Sequence, residues 1–108
     1  MKDIPNHETK YAIDEYGNVW SKRKQRFFKW LPNIHKGKVK RYMVTFRPGN
    51  KNHSIHTLVY TSFIGPVPKG YVIHHKDRNP ANNHISNLIA MTHSDHSKLH
   101  QLMRKYDL

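Results

Sequence analysis

The chain contains no cysteine. Disulfides and thiolate-bound zinc are therefore excluded, and any metal must be held by histidine, aspartate, asparagine or water. No apolar run approaches the roughly 20 residues a membrane-spanning helix needs. The N-terminus, Met1-Lys2-Asp3-Ile4-Pro5, turns polar at once, with no apolar segment of the kind a secretory signal requires. Nothing argues against a reducing cytoplasm as its compartment. Acidic residues are scarce, seven against nineteen Lys and Arg in 108 residues, so the net charge is +12. Apolar residues make up only 36%. Such a chain forms one domain, or two small modules sharing a modest core.

An excess of twelve positive charges on so short a chain implies a polyanionic partner. Nucleic acid fits best, because Lys and Arg contacts to phosphates release counterions and supply much of the affinity. An anionic membrane would require a strongly basic amphipathic helix, and no segment reads as one. The cations concentrate in two clusters. The first contains Lys22, Arg23, Lys24 and Arg26; the second contains Lys36, Lys38, Lys40 and Arg41. Both are expected to contact nucleic-acid phosphates.

Residues 1–9 lack periodicity and read as a loose start. Lys10–Ile13 and Val19–Ser21 read as short strands around a turn at Gly17-Asn18. Phe27–Leu31 reads as a further strand ended by Pro32, and Asn33–Lys40 as a basic loop. Tyr42–Phe46 has the residue types of a strong strand. Among these strands Trp20, Phe28, Trp30, Tyr42 and Phe46 suit a core better than a base-stacking platform. Ser54–Phe63 reads as a short helix stopped by Gly65-Pro66, although its β-branched residues also suit a strand. The expected division is a β-rich basic module over 1–54 and a second module over 55–108.

Six of the ten histidines fall between Tyr71 and His100. Tyr71–His75 and Asn87–Met91 read as two antiparallel strands joined by a polar loop containing Asp77, Asn79, Asn82 and Asn83. Thr92-His93-Ser94-Asp95 fits a helix-capping pattern, and Leu99, Leu102, Met103 and Tyr106 continue as an apolar helical stripe. The order is β, β, α. On that helix His96 and His100 lie one turn apart on one face, the logic of a paired-histidine metal site. His74 can supply a third ligand from the strand, leaving coordination positions open for water and a phosphate oxygen. His75 points to the other side of the strand and is free to take a proton from water, work that an imidazole of ordinary pKa near 6.5 performs at neutral pH. Asn87 has no titratable group, so its expected role is to bridge loop and strand and keep His75 oriented. A closed structural metal site is the competing account.

These residues resemble the ββα-metal (His-Me finger) motif of HNH endonucleases, with His75, Asn87 and His96 in the naming positions, twelve and nine residues apart. The run from His74 to Leu88 is similar to the phage and intron-associated homing group. So is the preceding region, with a G-x-V-x-S element at Gly17–Ser21 and an H-x-L-V element at His56–Val59. The resemblance implies an α+β fold: a small N-terminal antiparallel sheet followed by the ββα motif. It also implies one divalent ion (Mg, Mn, Ni or Zn), with His75 as general base, Asn87 holding the base's loop, and His74, His96 and His100 as ligand positions. The implied activity is metal-dependent hydrolysis of phosphodiesters in double-stranded DNA by an endonuclease or nickase acting as a monomer or weak dimer, in the cytoplasm of a bacterial host if phage-encoded, with the two basic clusters as DNA contacts. A non-catalytic nucleic-acid-binding module with a structural metal, and an RNA-binding accessory protein, are the alternatives.

Overall fold

The computed structural model describes residues 1–47, 49–95, 97, 98 and 101. The chain is a mixed α+β structure with antiparallel sheets. Strands β1 (Lys2–Asp3), β2 (Tyr11–Ile13), β3 (Val19–Ser21) and β4 (Arg26–Phe27) form one sheet in sequence order. The hairpin between β2 and β3 follows from its turn residues. Asp14 Oδ1 accepts the amide protons of Tyr16 and Asn18, both at 2.9 Å, and Gly17 takes φ +95°, a value that costs glycine nothing. The pairing Ile13↔Val19 then drives both side chains inward, where they are fully buried.

Strands β5 (Leu31–His35), β6 (Lys38–Phe46) and β7 (Lys51–Ser54) form a second sheet with β6 at its centre. The expected basic loop is in fact a hairpin. Lys36 and Gly37 both have positive φ, 52° and 76°, the mirror-image turn that matches the twist of paired strands. Pro32 does not end a strand; it lies inside β5, paired with Tyr42. An edge strand tolerates proline because one row of its amides needs no ladder partner. Every residue of β5 is exposed, so it carries none of the apolar patterning from which a strand is read.

Helix α1 (Ile55–Phe63) follows β7 without a loop, and it buries Ile55, Leu58 and Val59. Those side chains meet Ile4 just beyond β1, Tyr11, Ile13 and Val19 from the first sheet, Val44 and Phe46 from the second, and Leu88. The first residues are therefore not loose: β1 pairs with β2, and Ile4 is a core residue. Four of the five aromatics belong to this core, while Trp20 lies half-buried against the exposed ring of Phe27. Phe46 stacks on Tyr11 with centroids 4.0 Å apart, and Phe28, Trp30 and Tyr42 pack around its margin.

Strands β8 (Tyr71–His75) and β9 (Leu88–Thr92) form a separate antiparallel pair, with His74 opposite Ile89 and His75 opposite Leu88. Residues 93–95, 97, 98 and 101 are helical. Thr92 Oγ1 accepts the Asp95 amide proton at 3.1 Å, the capping bond that the sequence pattern predicts. The apolar stripe of Leu99, Leu102, Met103 and Tyr106 lies outside the described residues. No helix among the described residues is long and apolar enough to cross a membrane.

Candidate active site

The loop between β8 and β9 is closed by hydrogen bonds that the residue types make almost obligatory. Asn87 ends a 3-10 turn over Ile85–Asn87 and is buried. Its Nδ2 donates to Asp77 Oδ1 at 2.9 Å and to the Asn82 carbonyl at 2.8 Å, and its Oδ1 accepts the Asp77 amide proton at 3.2 Å. A buried amide with both ends satisfied fixes everything bonded to it. Asp77 is the second node. Its Oδ1 also accepts from the Asn79 amide at 2.8 Å and its Oδ2 from Asn82 Nδ2 at 2.8 Å. These donors, Asn82 foremost, then the Asn79 amide and Asn87, hold the Asp77 carboxyl down at about 2. Both of its oxygens accept hydrogen bonds inside the loop, so Asp77 shapes the site.

Strand alternation separates the two adjacent histidines. His74 is buried and His75 half-buried. The direct partner of His75 is Asn83, whose Oδ1 lies 2.7 Å from His75 Nε2. Asn83 is only 2% exposed, and its own Nδ2 donates to the Pro80 carbonyl at 3.2 Å. That bond turns the amide so that an acceptor faces the imidazole. Nε2 must then carry the proton, leaving Nδ1 with a lone pair in the neutral ring. Asn87 does not touch the imidazole; through Asp77 and Asn82 it ties together the loop from which Asn83 projects.

The other side of His75 meets His56, in the first turn of α1. The ring centroids are 5.1 Å apart and tilted by 59°. Burial first, then His75 and Arg41, push the His56 imidazole down to about 4. A second histidine beside His75 thus stays neutral at physiological pH. Sequence reasoning met His56 only as part of a family element. Its place beside His75 is a tertiary contact between α1 and β8 that no local pattern announces. Asn83 was legible only as one polar residue among several in the loop.

The turn of the first hairpin braces this loop from behind. The Ile85 amide donates to the Glu15 carbonyl at 3.0 Å, and the Tyr16 and His84 rings lie 4.6 Å apart. A Cβ on Gly17 would stand 3.4 Å from Asn83 Cβ and 2.5 Å from Ile55 Cγ2. Trp30 Nε1 closes the contact by donating to the Gly17 carbonyl at 3.0 Å.

In front of these residues lies a cleft of about 680 Å³, lined by Lys40 and Arg41 of β6, His56 of α1, and His74, His75 and Arg78 of β8 and its loop. The predicted residues therefore divide. Lys40 and Arg41 share the cleft with His75. Lys36 and Lys38 stand at the turn and the first residue of β6, both exposed. Lys22, Arg23 and Lys24 form the turn before β4, and Arg26 begins that strand, exposed. Lys22 is engaged within the fold, donating to Asp3 Oδ1 at 2.7 Å and to the Glu8 carbonyl. Of the predicted ligands, His74 is described and lines the cleft; His96 and His100 lie outside the described residues. Among the described residues no cluster of three or more His, Asp or Glu is placed to hold a metal.

Residues 53–98 match the family model described as HNH endonuclease. The chain is 33% identical over 85 residues to a SPbeta prophage-derived protein of Bacillus subtilis (strain 168) named as an HNH homing endonuclease, YosQ. That match covers 79% of this chain and 49% of the relative. It is 34% identical over 100 residues to H-N-H endonuclease F-TflII of Escherichia phage T5, covering 89% of this chain and 49% of that one. The chain thus spans about half the length of the curated relatives it matches. A solved structure of the HNH homing endonuclease I-HmuI, described for DNA binding and cleavage, superposes with a TM-score of 0.80 at 28% identity over 96% of this chain and 58% of the other. The fold, the histidine–asparagine loop and these matches agree, and the chain belongs to the HNH endonuclease family.

Proposed function

We propose that this chain is the cleaving part of a DNA endonuclease that hydrolyses one phosphodiester bond per encounter with the aid of a divalent ion. The observation that carries this reading is the His75–Asn83 pair. A half-buried imidazole with its Nε2 proton committed to a buried amide offers Nδ1 as a base in a cleft walled by Lys40, Arg41 and Arg78. Water entering the cleft gives a proton to His75 Nδ1. The resulting hydroxide attacks phosphorus, the bond to the 3′ oxygen breaks, that oxygen takes a proton from solvent water, and a 5′ phosphate and a 3′ hydroxyl remain. Asn83 holds the tautomer that makes Nδ1 available, and Asn87 and Asp77 hold the loop that carries Asn83.

His74, with His96 and His100 as its expected partners, would hold the ion, whose contribution when bound is to stabilise charge on the phosphate and the leaving oxygen. An all-imidazole set leaves Mg less favoured than Mn, Ni or Zn. The basic hairpin of β5 and β6 is the main DNA-contacting element, because a two-stranded ribbon fits the major groove and its Lys40 and Arg41 run into the cleft. One such site cuts one strand at a time, so nicked circles precede linear DNA.

Supercoiled plasmid incubated with Mg²⁺, Mn²⁺ or Ni²⁺, against a chelator control, tests the reading on one gel. His75→Ala is expected to keep its fold and DNA affinity and to lose cleavage by about 10²–10⁴-fold, the usual contribution of a general base. Normal cutting by that variant refutes the assignment. DNA binding with no cutting under any metal would make the chain a binding module instead.

A further inference from the structure

The β8–β9 loop carries three consecutive charged residues, and two of them are spent on the loop itself. Lys76 Nζ donates to the Ser86 carbonyl at 3.0 Å. Asp77 accepts hydrogen bonds from Asn79, Asn82 and Asn87. Arg78 differs. Its backbone amide is tied to the His75 carbonyl at 3.0 Å, so its Cα is held one turn from the base. Its side chain is exposed, lines the cleft and makes no hydrogen bond or ion pair among the described residues.

Its backbone also sits at φ +61°, a conformation that a long L side chain rarely adopts and that glycine enters without strain. Nothing in the loop's own packing uses the guanidinium. A strained position filled by a side chain that does nothing for the fold points to use elsewhere.

We propose that Arg78 is a phosphate-contacting residue of the cleft, which clamps the DNA backbone beside His75 opposite the wall formed by Lys40 and Arg41. A guanidinium suits this task because its planar fork grips two phosphate oxygens at once and never loses its charge. Tied through its own amide to the His75 carbonyl, it sets the distance between the gripped phosphate and the base. This proposal rests on the DNA-cleaving reading above.

The test compares the native chain with Arg78→Gly and Arg78→Lys. Arg78→Gly is expected to melt at the native temperature or above it, because glycine relaxes the positive φ. Its plasmid cleavage should fall at least about tenfold, and the slope of log affinity against log salt should drop by about one, the loss of one phosphate contact. Arg78→Lys is expected to restore the slope but only part of the rate, since the charge returns without the fork. An Arg78→Gly chain with native cleavage and native salt slope overturns the proposal. So does one that unfolds several degrees early, which would make the side chain a structural support. If the native chain itself cuts no DNA under any metal, the cleavage reading falls and this proposal with it; if it cuts and Arg78→Gly cuts equally well, this proposal alone fails.

Discussion

Replacing Asn83 by aspartate changes one atom and reverses the logic of the site. The amide oxygen 2.7 Å from His75 Nε2 becomes part of a carboxylate, in a position only 2% exposed to solvent. A carboxylate there gains little from water, and pairing with an imidazolium is its best remaining partner. An opposite charge at hydrogen-bonding distance shifts a titration by about 1–3 units toward the charged form. The acid limb of the cleavage pH profile should therefore move up by about 1–3 units relative to the native chain. Below the limb each unit lowers the rate about tenfold, so cleavage measured there falls by roughly 10- to 1000-fold and recovers as the pH is raised. The assay is the initial rate of plasmid nicking from pH 5.5 to 9.5 at saturating metal. Asn83→Ala is the control: it removes the acceptor without adding charge, and should lower the rate without moving the limb upward. An Asn83→Asp profile with its acid limb in the native place would refute the assignment of His75 as base and Asn83 as its partner. A limb moved equally by Asn83→Ala would refute the electrostatic cause.

Asn87→Ala removes the three hydrogen bonds of a buried amide; a loss of about 2–3 kcal/mol is expected, read as a thermal midpoint lower by roughly 10 °C or more. Gly17→Ala places a Cβ 2.5 Å from Ile55 Cγ2 at φ +95° and should cost about 2 kcal/mol or more in a urea melt; a native-like melt would contradict this packing. Stability should also depend on pH through His56. Its imidazole lies near 4 in the fold against an ordinary 6.5, so between those values the unfolded chain binds a proton that the folded chain refuses. The contribution is complete above pH 6.5 and is lost as the pH falls toward 4, about 3 kcal/mol in all. Unfolding measured from pH 8 to 4 should show that decline, and His56→Gln should flatten it.

The parts of this molecule that were legible in its sequence are those in which local pattern and tertiary role coincide. Tyr71–His75 reads as a strand and is one. The Thr92 cap is announced by its own spacing, and α1 by its apolar face followed by Gly65-Pro66. The misreadings share one cause, a fully exposed or very short element without an apolar face. β5 has no buried residue, so Pro32 looks like a terminator instead of an edge-strand proline. β1 has two residues, both exposed, and only Ile4 beyond it enters the core. At the site, histidines and asparagines advertise themselves by type, but their pairing does not. Whether Asn79, Asn82, Asn83 or Asn87 faces His75 depends on the left-handed residue at Arg78 and the 3-10 turn at Ile85–Asn87, neither of which leaves a mark in residue type.

The exposed hairpin strand β5 also bears on how such a protein can change over generations. Because β5 contributes nothing to the core, most substitutions along it cost little folding free energy. The turn at Gly17 has no such latitude, since it is wedged between Ile55, Trp30 and Asn83. If the hairpin contacts DNA as proposed, selection can therefore rewrite that surface one residue at a time while the fold around His75 stays intact. A lineage built this way can change that exposed strand without passing through unfolded intermediates.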